Sequence, residues 1–191
     1  MTKGRLEAFS DGVIAILITI MVLELHVPHG SHWDALQPVI PTLLMYVLSY
    51  LFLGIYWSNH HHLLHATTRI NGAILWANLH LLFWLSLVPF ATRWMGENHF
   101  DSLPTAIYGF VLLLASIAYW VLVQAIIAEE GPSSVLAEAV GRDKKGKKST
   151  LLYVAAIPLA FVSPWIADAI YVAVALWWLV PDRRIEKRIA R

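Results

Sequence analysis

Long stretches without a formal charge constrain this chain more than any other feature. No Asp, Glu, Lys or Arg occurs from Ala35 to Thr68, from Ile70 to Thr92, or from Ser102 to Ala128. A helix that crosses a bilayer core needs ~20 predominantly apolar residues at ~1.5 Å rise each, and every one of these stretches is longer. An aliphatic segment, "EAFSDGVIAILITIMVLEL" (Glu7 to Leu25), precedes them, and a further apolar region runs from Thr150 to Val180. Since 58% of the residues are apolar and only 14% charged, with the charges bunched between the runs, the chain reads as an all-α integral membrane protein.

Several classes are excluded at once. There is no cysteine, so disulfide frameworks, thiolate metal sites and Cys nucleophiles are absent together. A net charge of +1 gives no basic field for nucleic acid, and no internal repeat is visible. Lys3 and Arg5 before an apolar stretch look like a secretory signal, but Glu7 and Asp11 interrupt the basic region and no small-x-small cleavage site follows. The first segment is expected to be a retained transmembrane helix.

The region from Thr150 to Val180 fits either one long helix or a hairpin. "GRDKKGKK" precedes it and "DRRIEKRIAR" follows it, and cytoplasmic flanks are the ones enriched in Lys and Arg. A hairpin places both flanks on one side, and Ser163-Pro164 supplies its break, with Ser as N-cap and Pro as the first helical residue. Six spans are therefore expected in a single domain over 1–191, at approximately 5–26, 35–60, 70–93, 103–129, 148–162 and 164–181. In this layout the N- and C-termini are cytoplasmic, and thirteen of the fourteen basic residues lie inside, leaving only Arg93 outside. The basic loop and tail serve as orientation signals beside anionic lipid, or as a headgroup site.

On a helical wheel at ~100° per residue, Ile16, Ile20 and Leu23 of the first helix share one stripe, with Gly12 and Thr19 close to it and Ser10 and Asp11 well away. The remaining face, including Ile14, Leu17, Ile18 and Met21, is also apolar, so the helix is either lipid-facing or central to a bundle. An aspartate just inside an apolar span is costly unless paired or hydrated. Asp11 thus needs a partner on another helix, unless "FSD" merely caps the helix at the interface.

"RLEAFSD" (Arg5 to Asp11) has the form R-x-x-x-F-S-D and, with the helix that follows, resembles the signature of the transmembrane protein 175 family of potassium channels. "WSNHH" (Trp57 to His61) is similar to that family's Trp-x-x-His, and Asn78 with Pro89 keeps its spacing. The resemblance covers the whole chain as one six-helix unit, the prokaryotic form. It implies a homotetramer in a prokaryotic plasma membrane, with helix 1 of each subunit lining a central pore for K⁺, and with other monovalent cations and H⁺ as further candidate permeants. It also implies a constriction at Ile16, Ile20 and Leu23, with Thr19 as the polar layer associated with potassium preference. Arg5, Phe9, Ser10 and Asp11 would tie helix 1 to its neighbours through His60, His61 and Asn78.

Such a channel would lack familiar parts. The chain contains no Thr-Val-Gly-Tyr-Gly filter and no span with arginine at every third residue, so selectivity would come from rings of side chains. Aliphatic rings gate by dewetting, while threonine hydroxyls replace part of the lost hydration; modest discrimination of K⁺ from Na⁺ is the expected result. Glu24 would form an outer ring that concentrates cations, or remain a solvated helix-end charge.

Rival readings rest on less. His60, His61, His62 and His65 cluster, and His61 with His65 has i, i+4 ligand spacing, but a membrane metalloenzyme would need further boxes on other helices, so neither metal nor cofactor is expected and the chain is not read as an enzyme. A proton-coupled carrier using Asp11, Asn78 and His80 would favour broken helices and inverted repeats, of which only Pro38, Pro41 and Pro158 give a hint. A non-conducting scaffold is the third alternative.

Overall fold

Helix α1 (Lys3–Leu23) runs without proline until "HVPHGSHW" ends it. The computed structural model describes residues 2–134, 136–137 and 144–179. A 3-10 segment over Trp33–Val39, containing Pro38, leads into α2 (Ile40–His65), whose Pro41 occupies the first turn, where a missing N–H costs nothing. The second span therefore becomes α-helical at Ile40, five residues later than expected, and continues to His65.

The span expected over 70–93 is two helices, α3 (Gly72–Ser86) and α4 (Val88–Glu97). Asn71 caps α3 by accepting from the Ile74 amide at 2.9 Å. The break at Leu87 follows from Pro89, which has no N–H to give the carbonyl four residues earlier and whose ring crowds that turn. Helix α5 (Ser102–Glu130) stops at Gly131, which adopts a φ of 95° that only glycine takes without strain.

The last apolar region, as far as Leu179, is a hairpin, α6 (Lys144–Leu159) and α7 (Pro164–Leu179). Its first helix starts four residues before the expected 148 and ends three before 162. At 16 residues each, these helices span about 24 Å, less than a ~30 Å hydrocarbon core. Among the described residues four stretches, Lys3–Leu23, Trp33–His65, Gly72–Glu97 and Ser102–Glu130, are long and apolar enough to cross a membrane. The expected end of the last span at 181, and Arg142, Arg183, Arg184, Lys187, Arg188 and Arg191, lie outside the described residues.

The core forms around α5, which packs on α3, α4, α6 and α7, while α1 lies against α2, α3 and α4. Leu112, Ala115, Ala118 and Leu122 of α5 are fully buried there with Leu81 and Leu85 of α3, small residues allowing the helices to approach closely. Helix α1 is thus left with neighbours on one side only.

Candidate functional site

Helix α1 is divided lengthwise. Leu6, Ser10, Ile14, Leu17 and Met21, at spacings of three and four, are buried against α2 and α3. The opposite side carries Phe9, Gly12, Ala15, Ile16, Thr19, Ile20 and Leu23, all exposed in the single chain. Ile16, Ile20 and Leu23 leave 57%, 39% and 80% of their surface uncovered, so the aliphatic stripe seen in the sequence is the unpartnered face of the subunit. Thr19 lies on this face. Its hydroxyl donates to the Ile16 carbonyl at 2.9 Å, which uses its only proton and leaves its oxygen lone pairs as acceptors.

The buried side of α1 is held by a chain of polar atoms. The Asn78 amide donates from Nδ2 to Ser10 Oγ at 2.9 Å, and its Oδ1 meets His60 Nε2 at 2.6 Å. Ser10 and Asn78 are wholly buried and His60 nearly so. Since the amide oxygen is an acceptor, His60 carries its proton on Nε2 in this pair. Three helices, α1, α2 and α3, are thereby joined through one asparagine.

Asp11 is joined separately. Its Oδ1 accepts from Trp57 Nε1 at 3.0 Å, one helix away on α2. Of the other residues assigned to this network, Arg5, Phe9 and His61 are exposed. Arg5 makes no hydrogen bond or ion pair among the described residues, and His61 stacks between Trp57 and His65, with ring centroids 6.3 and 6.2 Å apart. Trp57 is the partner that the sequence pattern alone leaves without a role. Its signal is its position four residues before His61, which places the ring beside the same face of α2.

At the other end of α1, Glu24 has a partner within the subunit. It is ion-paired with Arg93 of α4, which also holds Glu97 Oε1 at 2.8 Å, and His26 lies 3.8 Å from the same Glu97. The one basic residue that the charge pattern leaves outside is thus flanked by two carboxylates, and Glu24 shares its countercharge with Glu97. Among the described residues no three His, Asp or Glu side chains converge to hold a metal. His80 accepts from the Trp84 indole at 2.9 Å and makes no hydrogen bond to Asp11 or Asn78, so the relay considered for a carrier is not assembled among the described residues.

A family model described as "Endosomal/lysosomal potassium channel TMEM175" matches residues 5–89, the part that contains α1 and the Ser10, His60 and Asn78 chain. A Chryseobacterium protein named a potassium channel is 56% identical over 189 residues, covering 99% of this chain and 98% of that one. The crystal structure of a lysosomal potassium-selective channel TMEM175 homolog from Chamaesiphon minutus matches with a TM-score of 0.79 at 26% identity, over 93% of this chain and 96% of that chain. A Gallus gallus protein named "Endosomal/lysosomal proton channel TMEM175" is 32% identical over 109 residues, 51% of this chain but 22% of its own.

Proposed function

The chain belongs to the TMEM175 family, and on that premise we propose that it is a potassium-conducting cation channel rather than an enzyme, in which the exposed face of α1 lines the pore. The observation that carries this reading is the lengthwise division of α1. A wholly apolar helix could turn any side to lipid, yet one side is fixed inward by Ser10 and Asn78, which directs Ile16, Ile20 and Leu23 outward from the subunit. Facing copies of this stripe around a symmetry axis would make a column of aliphatic rings.

Four copies, a homotetramer, would place those rings at the axis, each subunit being a single six-helix domain over 1–191. Partly dehydrated ions find no ligands at Ile or Leu, so the rings act as the constriction and gate. Thr19 is the polar layer: its hydroxyl proton is held by the backbone, so what faces a cation is oxygen lone pairs. A single such layer supports modest preference for K⁺ over Na⁺. The multi-pass subunit would sit in a prokaryotic plasma membrane with both termini cytoplasmic.

Potassium flux from liposomes reconstituted with the full chain tests the reading. Ile16→Asn should raise the flux, and Thr19→Ala should lower the preference for K⁺ over Na⁺; if both variants behave as the parent, α1 does not line the pore. The Gallus gallus relative's name favours a second reading, proton passage through the same pore, which a pH-sensitive dye inside the same liposomes separates from potassium flux.

A further inference from the structure

Asp168 is the one acidic residue in the apolar region from Thr150 to Val180, and it sits one turn into α7. Both its carboxylate oxygens are sealed from solvent, and neither has a hydrogen-bond partner among the described residues. An ionisable residue within a membrane span is a functional candidate by default, because a bare carboxylate in apolar surroundings costs several kcal/mol unless it is compensated.

Tyr171 follows three residues later on the same face of α7, and its ring lies 5.6 Å from that of Tyr108 of α5, both fully buried. Tyr153 of α6 adds a third ring, 6.3 Å from that of Tyr171. Two of the phenol protons can be assigned. Thr92 Oγ1 donates to the Val88 carbonyl at 2.7 Å, so in its 2.6 Å contact with Ser49 Oγ it must accept. Ser49 is then the donor there, and in its 2.9 Å contact with Tyr108 Oη it accepts. Tyr108 has therefore spent its proton on Ser49, and Tyr171 has spent its own on the Thr105 carbonyl at 3.1 Å.

Neither the Tyr108 nor the Tyr171 proton is given to Asp168. The Thr105 hydroxyl is also buried and unpartnered among the described residues, and it does not reach the carboxylate. We propose that Asp168 is a proton-binding site within each subunit, the bound proton neutralising a sealed carboxylate that has no donor within hydrogen-bond reach among the described residues. A metal cation is the less suitable occupant, because α5 and α7 are already in close contact at this level: a Cβ built on Gly109 would stand 2.8 Å from Tyr171 Cζ. The site involves no residue of α1, so it stands or falls separately from the pore.

Infrared spectroscopy of the full chain in liposomes at neutral pH tests the site. The parent should show the carbonyl stretch of a protonated, slowly exchanging carboxyl; isotope labelling of aspartate carboxyls should move this band, and Asp168→Asn should abolish it. The labelled parent keeps the test decisive if that variant does not assemble. No such band in the parent, a band insensitive to aspartate labelling, or one retained in Asp168→Asn would overturn the proposal. Replacing K⁺ and Na⁺ with a large organic cation should leave the band unchanged; a band that appears only then would assign the site to a metal cation instead.

Discussion

Asn78 holds Ser10 at 2.9 Å, and that bond, together with the packing of Leu6, Ile14, Leu17 and Met21, turns one side of α1 toward its own subunit. The same amide holds His60. Replacing Asn78 with leucine, of similar volume, should orphan both buried partners at ~1–3 kcal/mol each, whereas Ser10→Ala orphans one group, the Asn78 Nδ2 amide, at ~1–3 kcal/mol. The order of the thermal midpoints, followed by tryptophan fluorescence in detergent, should be parent, then Ser10→Ala, then Asn78→Leu.

Two glycines measure how closely the helices approach. A Cβ at Gly96 would lie 2.6 Å from the Thr42 Cα of α2, while one at Gly109 meets the Tyr171 ring. Backbone cannot rotate aside as a side chain can. Gly109→Ala should cost ~1–3 kcal/mol by overpacking and break the bond from Tyr171 to Thr105, and Gly96→Ala, which forces α2 and α4 apart, should lower the unfolding midpoint further.

The connection between α2 and α3 is clamped from the end of α5. Glu130 Oε1 accepts from the Thr68 amide at 2.6 Å and the Arg69 amide at 3.2 Å, and Glu129 holds Asn71 at 2.6 Å. Glu130→Ala removes both amide contacts and should loosen the backbone around the exposed Arg69. Trypsin cleavage after Arg69, identified by fragment mass, should become severalfold faster.

Most of this architecture is legible in the sequence because uncharged run length is a one-dimensional property. The hairpin is legible too, from its paired basic flanks and Ser163-Pro164. The split of the third span is not, although Pro89 is in plain view, because a proline within a span is often tolerated. Partners distant in sequence stay hidden: Arg93 meets Glu24 across 69 positions and Trp57 meets Asp11 across 46, and no periodicity on one helix reveals either. Asp168 does leave a signal, one carboxylate inside an apolar run. Its lack of a partner emerges only once α5 and α7 are placed together.

The pairing of Arg93 with Glu24 and Glu97 carries an electrical consequence. Arg93→Gln would leave two carboxylates at the end of α1 without their cation. Unitary potassium current at low ionic strength should then rise, because local negative potential concentrates cations. The gain should fade above ~0.1 M salt, where the screening length is about 10 Å.

If the uncovered face of α1 is the wall of the pore, permeant ions must pass its side chains, and the absence of cysteine from the chain makes that directly testable. Cysteine introduced at Leu23 or Ile20 would be the only thiol, and silver ions permeating with K⁺ should block the current of these variants in a planar bilayer, leaving Leu17→Cys and the parent conducting. Block of Leu17→Cys with Leu23→Cys and Ile20→Cys untouched would contradict the account.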